Sequence, residues 1–192
     1  LCLKLKSICI GADSKFFNGH TNITSDKFIC FGVKGIMESD TSIKNAMLFN
    51  VLSYMSDALL TKGNTAAFLD EMYLFLTNLT AIEYIRNAMK RVRKKDSAVI
   101  IASQNIEDFN RTDVKEMTKP LFAIPAHQFL FYPGSISKKE YMEMLRLDEC
   151  LFGLISYPQK GVCVFRHGSE VYHLVVKAQK YKEELFGSAG GR

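Results

Sequence analysis

The chain has 192 residues, of which 47% are hydrophobic and 23% charged, and its formal net charge is +5 at pH 7. This length and composition suit one globular domain with a hydrophobic core. A membrane-spanning helix is excluded, because no apolar run approaches the roughly 18 to 20 residues that one needs. The modest positive charge permits contact with nucleic acid or a membrane surface without requiring it.

The first third of the chain predicts a strand followed by a helix. Lys27–Lys34 is predicted as a strand, because its apolar residues run almost continuously. Asp40 and Thr41 then offer helix N-cap chemistry, and apolar residues recur at helical spacing until Gly63, a residue typical of the position after a helix.

The stretch from Ala66 to Ala102 continues the alternation of predicted strands and helices. Ala66–Leu69 is predicted as a buried strand that ends in Asp70 and Glu71. A long helix is predicted to follow the acid pair and to end in a cationic cluster. Ala98–Ala102, rich in β-branched residues and free of charge, is predicted as a strand in a central position. Strands that alternate with helices indicate a parallel sheet.

The rest of the chain predicts further helices and a hairpin. The predicted elements are a polar helix Asp108–Lys119 interrupted by Pro120, a strand His127–Tyr132, a helix capped by Ser137 that continues over Leu147–Ile155, and a hairpin of Gly161–Arg166 with Glu170–Val176. We therefore expect an α/β fold, a mainly parallel sheet flanked by helices with a C-terminal β-hairpin. Residues 1–186 would form the domain and 187–192 a flexible tail.

The cysteines, the histidines and the aromatic residues show no spacing that indicates a metal, disulfide or base-stacking site. The five cysteines are odd in number and lack C-x-x-C spacing, which favours reduced, buried thiols, with Cys30 and Cys163 in apolar runs. The four histidines are scattered without zinc-like spacing, so we expect structural or surface roles. The aromatic residues Phe129, Phe131, Tyr132 and Phe165 are expected to pack in the core rather than to stack on bases.

Asp70 and Glu71 are the first candidates for chemistry. A buried strand that ends in two acids places both carboxylates at the carboxyl edge of a parallel sheet, where ligands of open α/β sheets bind. Asp70 could hold Mg²⁺ directly or through water, and Glu71 could deprotonate an attacking water. The alternative is a solvated acid pair that favours the start of the next helix through its dipole.

A cationic cluster and a polar strand end complete the pattern. The cluster comprises Arg91, Arg93, Lys94 and Lys95. It is either a solvated helix end or the source of an arginine that reaches a neighbouring subunit's nucleotide. Gln104, after Ser103, could contact a γ-phosphate or the attacking water, or could be an ordinary polar residue of a loop.

In this order, these features resemble the RecA-like motor ATPases with an additional strand and a conserved glutamate. Within them, the chain is most similar to the conjugative-transfer and type IV secretion ATPase family of the VirB-four and TraE type. The resemblance spans nearly the whole chain and includes a Walker B-like AAFLDEMYLFL and an Arg-Lys and sensor-like stretch, RVRKKDSAVIIASQNIEDF. The final helix and hairpin, from LDECLFGLIS onward, also resemble the family.

The resemblance implies roles for single residues. Asp70 would serve Mg²⁺ through the metal's water shell, and Glu71 would be the catalytic base. Arg93 would be the arginine finger with Lys94 beside it at the nucleotide, and Arg91 is the alternative finger. Gln104 would link the γ-phosphate of ATP to conformational change. The implied cofactors are ATP and Mg²⁺, bound in a RecA-like P-loop NTPase fold.

The sequence departs from this family in one motif. No G-x-x-x-x-G-K-[ST] occurs, so the backbone amides and the lysine of a P-loop are missing. Together with Leu1 in place of an initiator Met, this predicts the C-terminal half of an ATPase domain, cut downstream of its P-loop. We expect the isolated chain to bind ATP poorly and to be inactive, although the parent protein would be an ATPase.

Three functions remain open at this point. The first is a secretion or conjugation motor, working as a ring (a hexamer by resemblance) on the cytoplasmic face of the bacterial membrane beside other machinery subunits. The second is a DNA-translocating pump of the coupling-protein or FtsK-like type, which needs a basic stripe for phosphate contacts. The third is a non-catalytic interaction scaffold built on a RecA-like core.

Overall fold

The computed structural model of the chain describes residues 6, 9–11, 13–20, 23, 27–104 and 106–187. The chain divides into two compact units, Leu1–Ala58 and Leu59–Arg192. Apart from Gly187, the predicted flexible tail lies outside the described residues. Among those residues, no helix is both long enough and apolar enough to cross a membrane.

The described elements confirm the predicted α/β class. The helices of the first unit are α1 (Ser14–Phe17), α2 (Lys34–Met37) and α3 (Thr41–Asp57). The helices of the second are α4 (Leu79–Arg91), α5 (Lys115–Ala123), α6 (Lys138–Leu145), α7 (Glu149–Leu154) and α8 (Lys180–Phe186). The strands are β1 (Ala66–Leu69), β2 (Ala98–Ile101), β3 (His127–Leu130), β4 (Val162–His167) and β5 (Glu170–Val175). Shorter turns are the π-helical Ala58–Lys62 and the 3₁₀-helical Met72–Phe75, Val92–Lys95 and Glu107–Asn110.

Helix α3 of the first unit begins where its cap was predicted. The N–H of Lys44 donates to the carbonyl of Asp40 at 2.9 Å, while the Asp40 side chain makes no capping bond. Leu48 and Leu52 lie one turn apart and are only 1% and 2% exposed. The apolar periodicity that predicted this helix therefore corresponds to a buried face.

The strand predicted over Lys27–Lys34 is wrong. Residues 28–33 form no strand, and Lys34 already begins α2. Phe28 is 86% exposed, and Cys30 is exposed too, against the expectation of a buried thiol. A strand persists only when its N–H and C=O groups pair with a neighbour, and no described segment pairs with this one. An apolar run alone does not supply that partner.

Strands β1 and β2 of the second unit pair in parallel, which confirms both predicted strands. Phe68 lies opposite Ile100 and Leu69 opposite Ile101. Within the described part of the chain the two strands pair only with each other, so the central position predicted for β2 is wrong. Phe68 and Ile100 share one face and are 65% and 48% exposed, whereas Leu69 on the other face is 8% exposed. The residues of β2 alternate between exposed and partly buried, so only one face of its apolar run packs against the protein.

A glycine joins the turns that precede these two strands. Gly63 has a φ of +75°, which an L side chain rarely adopts. The next residue, Asn64, donates its N–H to the carbonyl oxygen of Lys95 at 2.9 Å. A Cβ on Gly63 would lie 2.7 Å from that same oxygen. The close approach of the two turns therefore requires glycine at position 63. The same residue also ends the preceding helix.

The long helix predicted directly after the acid pair starts later. Glu71 has a φ of +50° and a ψ of +52°, and the 3₁₀ turn Met72–Phe75 follows it. Helix α4 begins only at Leu79, where the Asn78 side chain accepts a hydrogen bond from the N–H of Ala81 at 3.2 Å. A left-handed residue cannot continue a right-handed helix, so the acid pair lies in a turn and does not open α4.

Two further helix boundaries differ from the predictions. Helix α5 contains Pro120 and extends past it to Ala123, so the proline does not end it; it removes one intrahelical bond. Helix α6 is capped by Ser137 as predicted, but it ends before Arg146, whose φ is +51°. Asp148 then caps the separate helix α7. The helical stretch predicted over Leu147–Ile155 is therefore a new short helix.

The predicted hairpin is confirmed and gains a third strand. β4 pairs antiparallel with β5 and also with β3. One face of this sheet packs on α6 and α7 in a core made of Leu130, Ile136, Tyr141, Leu145, Leu147, Ile155 and Val164. Burial in this core raises the pKa of Tyr141 to about 12. The core packing predicted for Phe129, Phe131 and Tyr132 is wrong, since they are 54%, 50% and 43% exposed.

Candidate nucleotide site

The carboxyl edge of the parallel pair brings the acid pair beside the end of β2. The N–H of Ala102 donates to the carbonyl of Leu69 at 2.9 Å, and the N–H of Met72 donates to the carbonyl of Ala102 at 3.0 Å. Asp70 and Glu71 lie between these two bonds in the chain. Ala102 therefore sits across from the acid pair, and Gln104 follows it by two residues.

The backbone of Glu71 holds its carboxylate in a bent turn. Its left-handed φ of +50° is uncommon for a residue with a side chain and carries strain. Its N–H donates to Oδ1 of Asp70 at 2.9 Å. The Asp70 carboxylate is thus folded back onto the backbone of Glu71 at the sheet edge. One Asp70 oxygen is engaged by this bond, and the exposed carboxylate retains a second.

Tyr73 orients the Glu71 carboxylate from the following turn. Its phenol O–H donates to Oε2 of Glu71 at 2.9 Å. This hydrogen bond is the largest cause of a raised pKa for Tyr73, followed by burial and by the negative charges of Glu71 and Asp108. The phenol therefore stays protonated and remains a donor at neutral pH. Glu71 keeps Oε1 for another partner.

The structure places the cationic cluster at the opposite edge of the sheet. Arg91 ends α4, and Arg93 and Lys94 lie in the turn that precedes β2. All three side chains are exposed. The four residues of β2, at about 3.3 Å each, separate this turn from the carboxyl edge by roughly 13 Å. One copy therefore brings Asp70, Glu71 and Gln104 to one edge and holds Arg93 and Lys94 apart from them.

The carboxylates fit a hard cation that keeps most of its water. Among the residues that the structure describes, no three His, Cys, Asp or Glu side chains cluster in a way that could hold a metal ion. Mg²⁺ in nucleotide sites commonly uses only one or two carboxylates, with water and substrate phosphate as its remaining ligands. An exposed Asp70 oxygen beside the sheet edge meets that requirement. The phosphate cradle of a P-loop is not formed by this sequence.

A separate cleft lies elsewhere in the second unit. It has a volume of about 900 Å³, and neither acid nor Gln104 lines it. Its charged lining is mainly basic and comprises Lys90, Lys115, Lys119, Arg146, Arg166, Glu140 and Glu143. The Arg166 guanidinium is already bonded to the carbonyls of Leu145 and Arg146, at 2.6 and 2.8 Å. This cleft can attract anions, but it offers no acid pair for activating water.

Sequence reasoning missed Tyr73 and Asp108. In a helix, residues two apart point to different sides, so a helix that starts at the acid pair would direct Tyr73 away from Glu71. The left-handed Glu71 and the 3₁₀ turn bring them together instead. Asp108 lies 37 positions beyond Glu71 in the numbering, and only the fold brings its charge near Tyr73.

The chain resembles a solved protein over nearly its whole length. No protein-family model matches it, and no curated protein does. The structure of VirB4 of Thermoanaerobacter pseudethanolicus matches with a TM-score of 0.80 and 27% sequence identity, covering 95% of this chain and 50% of that one. The chain thus spans about half the length of this relative. The likeness confirms the resemblance to the VirB4-type family that the sequence indicates, over about half the length of that protein.

Proposed function

We propose that this chain is the part of a type IV secretion ATPase that activates water and senses the γ-phosphate of ATP. The observation that carries the proposal is the position of Asp70 and Glu71, joined by the bond from the Glu71 N–H to the Asp70 carboxylate, at the carboxyl edge of a parallel strand pair beside the segment that leads to Gln104. The likeness to VirB4 supports the same conclusion. Hydrolysis would power conjugative transfer or secretion.

Each group at this edge has a defined task in the proposal. Asp70 holds the water shell of Mg²⁺, whose charge compensates the phosphates. Glu71 accepts the proton of the attacking water on Oε1, because Oε2 is occupied by the Tyr73 hydroxyl. Gln104 carries both an amide donor and a carbonyl acceptor, so it can bond to a phosphate oxygen or to the water.

The arginine finger in this proposal acts between copies. Arg93 and Lys94 lie at the far edge of the sheet, so they serve the nucleotide of a neighbour in a ring, which we propose to be a hexamer. A planar, permanently charged guanidinium suits the charge that spreads over a transferring phosphoryl group. We place this ring at the cytoplasmic face of the bacterial membrane, held there by other subunits of the secretion machinery.

The phosphate cradle completes the site from outside this sequence. The matched VirB4 is about twice as long as the aligned region, and we propose that the corresponding remainder of the parent protein supplies the P-loop. ATP binding and turnover therefore belong to the full-length protein, and the experiments on activity use that form.

The test is Glu71→Gln in the full-length protein. The amide preserves the size and the Tyr73 bond but cannot accept a proton, so ATP hydrolysis should be abolished while ATP binding persists. Glu83→Gln is the matched control, because Glu83 is an exposed acid on α4 away from the sheet edge. Wild-type turnover in Glu71→Gln would remove Glu71 from the role of base.

The basic cleft favours a second candidate, a pump that contacts DNA. Lys90 and Lys115 are exposed within it, and each phosphate neutralised by such a side chain steepens the salt dependence of binding. For a DNA pump, Lys90→Ala and Lys115→Ala would each lower the slope of log affinity against log salt by about 0.7 to 0.9. Lys182→Ala, outside the cleft, would leave the slope unchanged. Slopes unaffected by the cleft variants would favour the secretion motor.

A further inference from the structure

Two histidines that are 40 positions apart in the sequence meet on the surface of the second sheet. His127 lies on β3 and His167 on β4, directly opposite each other in the register. Their Nδ1 atoms are 3.1 Å apart, and their ring centroids are 4.6 Å apart. Both side chains are exposed.

The backbone ladder accounts for this closeness. The N–H of Gly168 donates to the carbonyl of Ala126 at 3.0 Å, so Ala126 and Gly168 form a hydrogen-bonded pair. The adjacent pair, His127 and His167, is then a non-hydrogen-bonded pair, in which Cα atoms are only about 4.5 Å apart. The two imidazoles are thus held together by the strand register.

The separation of the nitrogens suits a shared metal ion. A transition metal bonds to imidazole nitrogen at about 2.0 to 2.1 Å, so two nitrogens 3.1 Å apart subtend an angle of roughly 100° at the ion. This angle lies between those of square-planar and tetrahedral sites. Without a metal, a ring in its Nδ1–H tautomer can donate to the Nδ1 of the other ring, and metal binding would displace that proton.

The neighbours of the two histidines are an aromatic ring beside His127 and an acid opposite His167. The His127 ring stacks on Phe165 at a centroid distance of 6.1 Å with an interplanar angle of 5°. The two imidazole planes are inclined at 22°, and rotation of each ring about its Cβ–Cγ bond would aim both lone pairs at a common ion. Glu170 lies opposite His167 on β5 but accepts a hydrogen bond from the Tyr172 hydroxyl at 2.6 Å. The remaining coordination positions would be open to water.

We propose that His127 and His167 bind one divalent transition-metal ion of the class of Cu²⁺, Ni²⁺ or Zn²⁺. Imidazole ligands favour these ions over Mg²⁺, which prefers oxygen. The site is therefore distinct in chemistry from the proposed Mg²⁺ position at Asp70. Because its ligands come from two strands, the ion cross-links β3 to β4 and binds only the paired sheet.

The test uses the 192-residue chain after removal of metals with EDTA. Calorimetric titration with Zn²⁺ at pH 7.5 should show saturable binding of one ion, and Zn²⁺ should raise the unfolding temperature. His127→Asn and His167→Asn should each weaken binding at least tenfold and remove the thermal shift. His173→Asn is the matched control: its side chain is exposed and, by strand alternation, lies on the other face of the sheet.

Cysteine ligands are tested separately with Co²⁺, which gives an intense near-ultraviolet band only when thiolate binds it. The proposal expects no such band. Absence of saturable binding would overturn the proposal, as would a thiolate band, or binding that survives both His127→Asn and His167→Asn. Equal loss in His173→Asn would also overturn it, because the ion would then not depend on the β3–β4 pair.

Discussion

The distance between Arg93 and Glu71 makes a quantitative prediction for mixed oligomers. The length of β2, roughly 13 Å, separates the two edges of the sheet, and this exceeds the reach of an arginine side chain. If the proposed function holds, Arg93 would complete a neighbour's site and not its own. In the full-length protein, Arg93→Ala alone should lower turnover at least about a thousandfold, and Glu71→Gln should abolish it.

A mixture of these two inactive proteins should recover activity. A site is complete when it belongs to an Arg93→Ala copy, which retains Glu71, and when its neighbour is a Glu71→Gln copy, which retains Arg93. Random assembly of equal amounts produces this arrangement at about a quarter of the sites. Turnover should therefore rise to about a quarter of the wild-type rate.

The assay is steady-state ATP turnover of subunits mixed before assembly, against each variant alone at the same total concentration. Arg91→Ala in place of Arg93→Ala is the matched control, since Arg91 is the alternative finger and ends the helix directly before the turn that holds Arg93. A mixture no faster than its components would refute the assignment of Arg93 across the interface. Recovery only with Arg91→Ala would move the role to Arg91.

Three further predictions follow from single positions. Gly161→Ala should destabilise the chain by about 3 kcal/mol in urea unfolding, because φ is +78° and the new Cβ would lie 2.1 Å from a backbone oxygen. Gly168→Ala, with φ of +60° but open space, should cost only about 1 kcal/mol; equal costs would contradict the steric argument. Tyr73→Phe in the full-length protein should lower kcat with little change in KM for ATP, unlike the exposed control Tyr157→Phe. The folded-state pKa of Tyr141 is raised to about 12, so stability should fall from pH 10 to 12 by up to about 1.4 kcal/mol per unit, and Tyr141→Phe should remove that slope.

The sequence predicted the parallel strands well because their signals are local. Ala66–Leu69 was placed at its observed bounds, and the run that contains β2 differs by one residue at its end. Each is a short apolar run flanked by turn or charged residues. Lys27–Lys34 has a similar composition but no partner in the described structure, and pairing is a property of two segments that one apolar run cannot specify.

The sequence predicts that Asp70, Glu71 and Gln104 share one sheet edge, but it does not predict the geometry of that edge. Two parallel strands joined by a helix have their carboxyl ends at the same edge of the sheet. This connection suffices to predict that Asp70 and Gln104 lie at one edge. The left-handed backbone of Glu71 and its bond to Tyr73 depend on a non-helical turn that ordinary propensities do not predict. The pairing of His127 with His167 depends on the register between β3 and β4, which forms only when distant segments fold together.

The exposed face of the parallel pair bears on how copies of this chain associate. Phe68 and Ile100 lie side by side there, on strands whose outer edges are unpaired among the described residues. Contact through such a surface is hydrophobic and strand-like, so it strengthens on warming from low temperature and withstands high salt. Contact through Arg93 and Lys94 is electrostatic and weakens as salt screens it. Measuring association at different ionic strengths and temperatures therefore distinguishes hydrophobic contact through the exposed sheet face from electrostatic contact through the cationic turn.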